Sequence, residues 1–203
     1  TPDEVLILPH MMLDHALNID WDLSYRDTFL GPLATLEEME AYQPVGEIFS
    51  SRNISQDAEL GLPSLLLFEG DPIDPAPASF RYAWREVGAH IGVIAGSDNH
   101  SQMPGVNDET ALDGSAYHLH EPGGQMVTLA DSPDRDGIYD ALKRRDTYGT
   151  SGARVWMNFT VGGSDMGQEI EANAPQIRSK VKVMAGMEIY RVEVWAARVG
   201  DPT

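Results

Sequence analysis

An aspartate and a histidine two positions apart, Asp98 and His100, directly follow the stretch VIAGS at residues 93–97. Side chains alternate between the two faces of a strand, so this spacing directs both groups to the same side. A carboxylate beside an imidazole can bind one Zn, Mn or Fe ion, or can act as a general acid–base pair. In the alternative interpretation the strand simply ends there, with Asp98 capping the next element and His100 exposed. The Asp-x-His pattern alone leaves both interpretations open.

Two further apolar stretches carry a potential ligand. VLILPH (5–10) ends in His10, and PVGEIFS (44–50) places Glu47 within a predicted buried strand, where an unpaired carboxylate would be costly. In α/β folds the carboxyl ends of the strands are where active sites gather. Taken singly, Glu47 can equally be a salt-bridged or hydrogen-bonded core residue. Taken together, these residues favour a metal site.

The elements that must position these residues follow an α/β order. TLEEMEAY has Thr35 and Glu38 in capping-box spacing, which predicts a short helix between the first two strands. SFRYAWREVG predicts a second helix, capped by Ser79 and ended by Gly88, and IGVIAG predicts a third buried strand. Strand, helix, strand, helix, strand is the order of an α/β layer or barrel.

The chain changes character after His100. Residues 101–124 are polar and glycine-rich and predict a long functional loop, after which QMVTLA predicts a strand. SPDRDGIYDALKRRDTYG predicts the clearest helix, with Ser132 as its cap, acidic residues at its positive end and basic residues at its negative end.

The last fifty or so residues predict antiparallel β-structure. RVWMNFTVGG, IRSKVKVMA and EIYRVEVWAARV each alternate apolar and polar residues, and the first ends in a Gly-Gly turn. We therefore predict two parts, an α/β part at residues 1–152 and a β-rich part at residues 153–203.

Composition restricts the classes of function. Asp and Glu number 32 against 14 Lys and Arg, for a net charge of -18, which disfavours nucleic acid and anionic membrane surfaces as partners. The apolar runs are too short for a membrane span. There is no cysteine, so any metal must be held by His, Asp, Glu and water. The lack of cysteine also fits a periplasmic or secreted protein without establishing one.

Several quoted stretches together resemble one protein family. LPH, PVGEIFSSRNISQ, VIAGSDNH and GIYDALKRRDTYGTSGARVWMNF resemble the DUF3604 family over about residues 10–167. That family is related to the polymerase and histidinol phosphatase (PHP) superfamily of metal-dependent phosphoesterases. The resemblance implies a distorted (β/α) PHP-like barrel with two or three Zn, Mn or Fe ions at the strand ends. Carried over by position, His10, Asp98 and His100 match metal ligands, and Glu47 matches a glutamate that lines the site.

One departure from the family pattern affects the expected ligand set. PHP domains open with a His-x-His strand, and no such motif precedes His10; the His-x-His at residues 118–120 follows the Asp-x-His pair in the long loop, and we interpret it as a chance match. We expect the chain to be the C-terminal part of a longer protein, with a partial barrel that needs its N-terminal part as a folding partner. A His-x-His encoded upstream of Thr1 would favour the enzyme.

The sequence therefore predicts a metal-dependent hydrolase that acts on a small-molecule phosphoester through a metal-activated water. His10, Asp98 and His100 are the expected ligands, and Glu47 is the candidate catalytic residue, as a ligand, an orienting partner or a general base. Further candidate site-lining residues are His15, Arg52, Tyr148 and Thr150. The competing hypothesis is a non-catalytic, degenerate barrel that binds a ligand or serves as a scaffold; amides and other esters are alternative substrates.

Overall fold

The structure, a computed structural model, describes residues 3–8, 35–49, 80–97, 124–171 and 175–199. Its elements in chain order are α1 (Leu36–Tyr42), β1 (Val45–Phe49), α2 (Phe80–Tyr82) continuing into a π-helical turn (Ala83–Val87), β2 (Gly92–Ala95), β3 (Gln125–Thr128), α3 (Arg135–Lys143), β4 (Thr147–Thr150), β5 (Val155–Val161) and β6 (Ser179–Ala185).

Helix α1 begins at the predicted capping box. The Thr35 side chain accepts a hydrogen bond from the Glu38 amide, and the Glu38 carboxylate accepts one from the Thr35 amide at 3.1 Å. Two amides that have no partner within the helix are thereby satisfied. The helix buries Met39 in a cluster with Phe80, Ala83, Ala89 and Ile91, and its half-buried Leu36 packs against the same cluster.

Strands β1 and β2 are parallel neighbours, as a strand–helix–strand order requires. Val45 pairs with Gly92 and Glu47 with Ile94, and the register then shifts so that Phe49 lies opposite Ala95. Val45 and Ile94 pack with Leu142 in a second buried cluster. The predicted strands at 44–50 and 91–96 are thus confirmed, and they end at the same edge.

The second predicted helix is present but wider than expected. After one turn at Phe80–Tyr82 the backbone continues as a π-helix over Ala83–Val87, and the Ala89 amide donates to the Ala83 carbonyl at 2.8 Å. Gly88 ends it with a φ of 73°, a conformation that glycine adopts without strain. The predicted stop is therefore confirmed, whereas sequence periodicity gave no sign of the π geometry.

Helix α3 lies where the sequence predicts, with two differences at its ends. Its N-cap is Asp134, whose carboxylate accepts from the Gly137 amide at 2.8 Å; Ser132, the predicted cap, instead donates its hydroxyl to Asp134. At the other end Arg145 has a φ of 62°, the left-handed conformation usually taken by glycine. Its amide and that of Asp146 donate to the Leu142 and Ala141 carbonyls, which completes a Schellman cap.

Strands β3 and β4 form an antiparallel hairpin around α3 that packs on β2. Thr147 is buried and donates its hydroxyl to the Val93 carbonyl at 2.8 Å. Gly149 lies so close to Ala95 that a Cβ built on it would be 2.7 Å from the Ala95 Cβ. The hairpin therefore contacts β2 through the Thr147 hydroxyl and through the close approach of Gly149 to Ala95, and the described residues contain no ladder between β4 and β2.

Strands β5 and β6 form the predicted antiparallel pair, in which Val155 lies opposite Ala185 and Val161 opposite Ser179. The predicted Gly-Gly turn is present at residues 162–163, where both glycines have positive φ. One buried side chain connects this pair to β4: the Tyr148 hydroxyl donates to the Val155 carbonyl at 2.8 Å and accepts from the Met157 amide at 3.0 Å.

We expect Tyr148→Phe to lower the free energy of unfolding by about 1–3 kcal/mol, because it leaves a half-buried carbonyl and amide of β5 without their partner. Chemical denaturation at constant slope measures the change. Tyr42→Phe, at a half-buried position of α1, is the matched control and should lose less. An unfolding free energy equal to that of the wild type would show that the hydroxyl does not hold β5.

The described residues confirm a mixture of helices and strands, with one parallel and two antiparallel two-stranded sheets. They contain no closed barrel, so the PHP-like barrel stays a prediction. Two predicted strands were wrong within the described ranges: residues 5–8 form no strand, although the Ile7 amide donates to the Tyr42 carbonyl, and residues 188–198 form none either. None of the described helices is long and apolar enough to span a bilayer.

Candidate functional site

The candidate site is the edge at which β1 and β2 end. The Gly96 amide donates to the Phe49 carbonyl at 3.0 Å and so continues the parallel ladder by one bond beyond β2. Glu47 is only 6% exposed, and its Oε1 lies against the Cα of Gly96, where any side chain would collide with it. A buried carboxylate therefore lies beside the residue that precedes the Ser-Asp-Asn-His sequence.

The hairpin supplies the third side of this edge. A Cβ at Gly124 would be 2.7 Å from the Gly96 carbonyl oxygen and 2.9 Å from the Phe49 ring. Gln125, the next residue, pairs with Thr150, so Thr150 lies at this end of β4. Its hydroxyl oxygen is buried and has no hydrogen-bond partner in the described part of the chain. Three chain segments thus meet around Gly96: β1, the end of β2 and the β3–β4 hairpin. Among the described residues, β1 carries Glu47 and β4 carries Thr150.

Tyr148 points elsewhere. Its hydroxyl is bound by the β5 backbone, and its side chain lines a largely apolar cleft of about 380 Å³ between β4 and the β5–β6 pair, with Val155, Trp156 and Met184. The structure therefore gives this residue a contact that the sequence did not indicate, and its role at the candidate site stays a prediction.

The remaining predicted site residues are His10, His15, Arg52, Asp98 and His100, and all five lie outside the described residues. The His-x-His at 118–120 lies outside them as well. Within the described ranges no group of three or more His, Asp or Glu side chains could hold a metal ion. The metal site thus stays a prediction. Of the predicted site residues, the catalytic candidate Glu47 and the site-lining candidates Tyr148 and Thr150 lie within the described part of the chain.

A second acidic group that the sequence did not single out lies at the end of α3. Burial raises the pKa of Asp146 above its ordinary value; the nearby Asp165 and Asp131 raise it further, while Arg144 opposes them. Its Oδ1 is buried and has no hydrogen-bond partner among the described residues. The carboxylate also lies at the negative end of the helix dipole, which adds to the cost of its charge.

We expect Asp146→Asn to stabilise the protein by about 0.5–1 kcal/mol at neutral pH, because the ionised carboxylate disfavours the folded state. The gain is small because solvent screens a carboxylate that is only partly buried. The pKa of Asp146 is higher in the folded protein than in the unfolded chain. Its ionisation therefore destabilises the folded state only when the pH is above the pKa of the unfolded chain. The gain should therefore disappear at about pH 3.5. Denaturation at both pH values tests this.

The exposed Asp140→Asn, on the same helix, makes the same charge change and is the control. It should alter the unfolding free energy by less than about 0.5 kcal/mol at either pH. A gain for Asp146→Asn that persists unchanged in acid would contradict an origin in the carboxylate charge.

Sequence reasoning missed the small residues that bring these segments together. A methyl group on Gly124 or Gly149 would lie less than 3.0 Å from backbone or from the Ala95 Cβ, so these two positions have room for hydrogen alone. At Gly96 the nearest atom is the end of the Glu47 side chain, which would have to move to admit a methyl group. The signal in the sequence was the pair of glycines at the strand ends in IGVIAG and TYGT, since an isolated glycine in a strand often marks a close approach of another backbone.

By its described fold the chain is a mixed α/β protein with a buried carboxylate at the end of a parallel strand pair. The family model described as "Protein of unknown function (DUF3604)" matches residues 87–189, just over half of the chain. The chain therefore belongs to the DUF3604 family. The match begins later and extends further toward the C-terminus than the quoted motifs. No curated protein and no solved structure matches the chain.

Proposed function

We propose that this protein is a metal-dependent hydrolase, with phosphoesters as the favoured substrates. The observation that carries the proposal is the position of Glu47. Its carboxylate is buried at the carboxyl end of β1 against Gly96, and Asp98 and His100 follow two and four residues later in the chain. The resemblance to PHP phosphoesterases and their barrel motivates the same site and belongs to this proposal.

Physical reasons support a functional interpretation of Glu47. Burying a carboxylate is costly, and such groups are retained where they are paired, coordinate a cation or take part in a reaction. The position of Gly96 makes room for the carboxylate at the strand end, not in the middle of the sheet. The strand end is where the active sites of α/β proteins are built.

The ligand chemistry is compatible with Zn, Mn or Fe. Carboxylate and imidazole groups bind all three, and the chain has no cysteine to provide a thiolate. When bound, such ions lower the pKa of a coordinated water and stabilise charge that develops on the substrate. His10, Asp98 and His100 would hold them.

The protein groups around the reacting centre would have separate roles. Glu47 would orient or deprotonate the attacking water, or complete the ligand set, and Arg52 would bind a phosphate oxygen through its planar guanidinium. The net charge of -18 does not oppose an anionic substrate, because bound cations reverse the local field.

Elemental analysis of the protein expressed from its complete gene, with and without Asp98→Ala, tests the site. We expect Zn, Mn or Fe to copurify with the wild type, and the variant to lose most of it while remaining folded. Asp136→Ala, an exposed aspartate in the first turn of α3, is the control and should retain the metal. Wild-type metal content in the Asp98 variant would remove Asp98 from the site.

A panel of phosphomonoesters and phosphodiesters then tests the reaction. Glu47→Gln keeps the volume of the side chain but not its charge, so it distinguishes proton transfer by Glu47 from metal binding by Glu47. A normal metal content with a loss of rate of about a hundredfold or more assigns proton transfer to Glu47, whereas lost metal assigns it as a ligand. If the wild type copurifies without metal and cleaves no ester or amide, the proposal is wrong, and the non-catalytic alternative takes its place.

A further inference from the structure

The segment at residues 187–199, here called the C-terminal segment, exposes an unusual number of large apolar side chains. Tyr190 is 92% exposed and Trp195 75%, and Val192 and Val194 are each 54% exposed. Residues 188–198 form neither helix nor strand. Contiguous exposed apolar surface of this kind marks sites of association.

The side chains of the segment nevertheless lie as they would in a strand. Arg191 Nε lies 3.2 Å from Glu193 Oε1, and the Trp195 indole donates to the other oxygen of Glu193 at 3.3 Å. Contacts between residues 191, 193 and 195 place alternate residues on one side, which is the period of a β-strand. Ile, Tyr, Val and Trp are also the residue types that favour strands.

Charge does not favour folding back onto β6, because one of the two charged pairs in a tight hairpin repels and the other attracts. A two-residue turn at Gly186–Met187 would place Ala185 opposite Glu188, and therefore Lys182 opposite Arg191 and Lys180 opposite Glu193. Like charges directly opposite each other destabilise a strand pair. The structure contains β6 paired with β5 only, among the described residues.

We propose that the C-terminal segment pairs antiparallel with the same segment of a second copy of this chain, around a twofold axis at Val192. In this register Arg191 lies opposite the Glu193 of the other copy, twice. The next pairs outward from the axis on each face join an aromatic to a β-branched residue: Tyr190 with Val194, and Trp195 with Ile189. Pairs of both kinds stabilise antiparallel strands, and a twofold interface is self-complementary.

Neighbouring registers lack this complementarity. An axis at Arg191 places two arginines opposite each other, and an axis at Glu193 places two glutamates opposite each other. Each arrangement puts like charges directly opposite each other, which destabilises a strand pair. The charge pattern thus favours an axis at Val192 over axes at the two adjacent residues.

Because the chain has no cysteine, single cysteines report the register directly. Opposite residues of antiparallel strands have Cα atoms about 4.5–5.5 Å apart, which permits a disulfide. Val192→Cys should therefore oxidise to a covalent dimer. Tyr190→Cys should not form a disulfide, because in this register the two Tyr190 positions are four residues apart along the strands, or about 14 Å. The double variant Tyr190→Cys with Val194→Cys should form one, because these two residues lie opposite each other. Equal rates for Val192→Cys and Tyr190→Cys would overturn the register.

Sedimentation equilibrium of the protein expressed from its complete gene tests the association without cross-linking. We expect a reversible dimer that Arg191→Glu weakens at least about tenfold, since glutamates then lie opposite each other twice. Adding Glu193→Arg to Arg191→Glu reverses the pairs and should restore the dimer. Lys180→Glu on β6 makes the same charge change and should leave it intact. A monomeric wild type, or a double variant as weak as Arg191→Glu, would overturn the proposal.

Discussion

Gly149→Ala is expected to lower the free energy of unfolding by about 2–3 kcal/mol, although alanine replaces glycine in a strand. On propensity alone the change should stabilise by about 0.5–1 kcal/mol, because glycine loses more conformational freedom on folding. In this structure the expected change in unfolding free energy has the opposite sign. The new methyl would lie 2.7 Å from the Ala95 Cβ and 3.1 Å from the Ala95 amide nitrogen. Since the second neighbour is backbone, a change of rotamer cannot relieve the clash.

Two further variants serve as controls for Gly149→Ala. Gly186→Ala adds a methyl where nothing lies within 4 Å and should change the unfolding free energy by less than about 0.5 kcal/mol. Ala95→Gly removes one of the two clashing groups, so the double variant should recover part of the loss, as a double-mutant cycle measures. Denaturant midpoints at unchanged slope give all three values. A Gly149→Ala protein as stable as the wild type would show that the hairpin does not dock on β2 this closely.

The elements whose causes are local could be predicted from sequence. The Thr35–Glu38 capping box begins α1 because its signal is contained in four residues. Strands β1 and β2 are short apolar runs between turn residues, and the alternation of β5 and β6 matches their pairing. Even the burial of Glu47 follows from its place within such a run.

The parts that depend on distant neighbours could not be predicted. Residues 188–198 alternate as well as β6 does, yet a strand exists only where another strand pairs with it, and alternation carries no information about the partner. The docking of β4 on β2 depends on Gly149 meeting Ala95, fifty-four residues earlier in the chain. The candidate site shares this dependence, because its three sides come from segments that are far apart in sequence.

Arg145 is the second residue at which the structure decides whether a substitution is expected to stabilise or destabilise the protein. Its Nε and Nη2 donate to the Gly167 carbonyl at 3.1 and 3.0 Å, and its Nη1 donates to the His90 carbonyl at 3.2 Å. Nη2 also lies 3.3 Å from Glu169 Oε1. One guanidinium, 21% exposed, thus connects the end of α3 to the approach to β2 and to the loop after β5. This network holds a non-glycine residue at a φ of 62°.

The side chain and the backbone of Arg145 can be separated by two substitutions. Arg145→Ala removes every guanidinium contact and keeps the left-handed strain, so we expect a loss of about 2–4 kcal/mol. Arg145→Gly removes the same contacts but relieves the strain, and should be about 1 kcal/mol more stable than the alanine variant. In an ordinary helix interior glycine would be the less stable of the two.

Arg145→Lys keeps the charge without the planar fork and separates electrostatics from geometry. One ammonium group cannot reproduce donors aimed at two carbonyls of different segments, so we expect lysine to recover only a small part of the loss. Urea denaturation of the three variants and the wild type, in low and high salt, measures the order of their unfolding free energies. Arginine should be the most stable, followed by glycine or lysine, with alanine last. An alanine variant as stable as glycine would mean that the backbone at Arg145 is not left-handed, and a lysine variant equal to wild type would mean that charge alone connects the three segments.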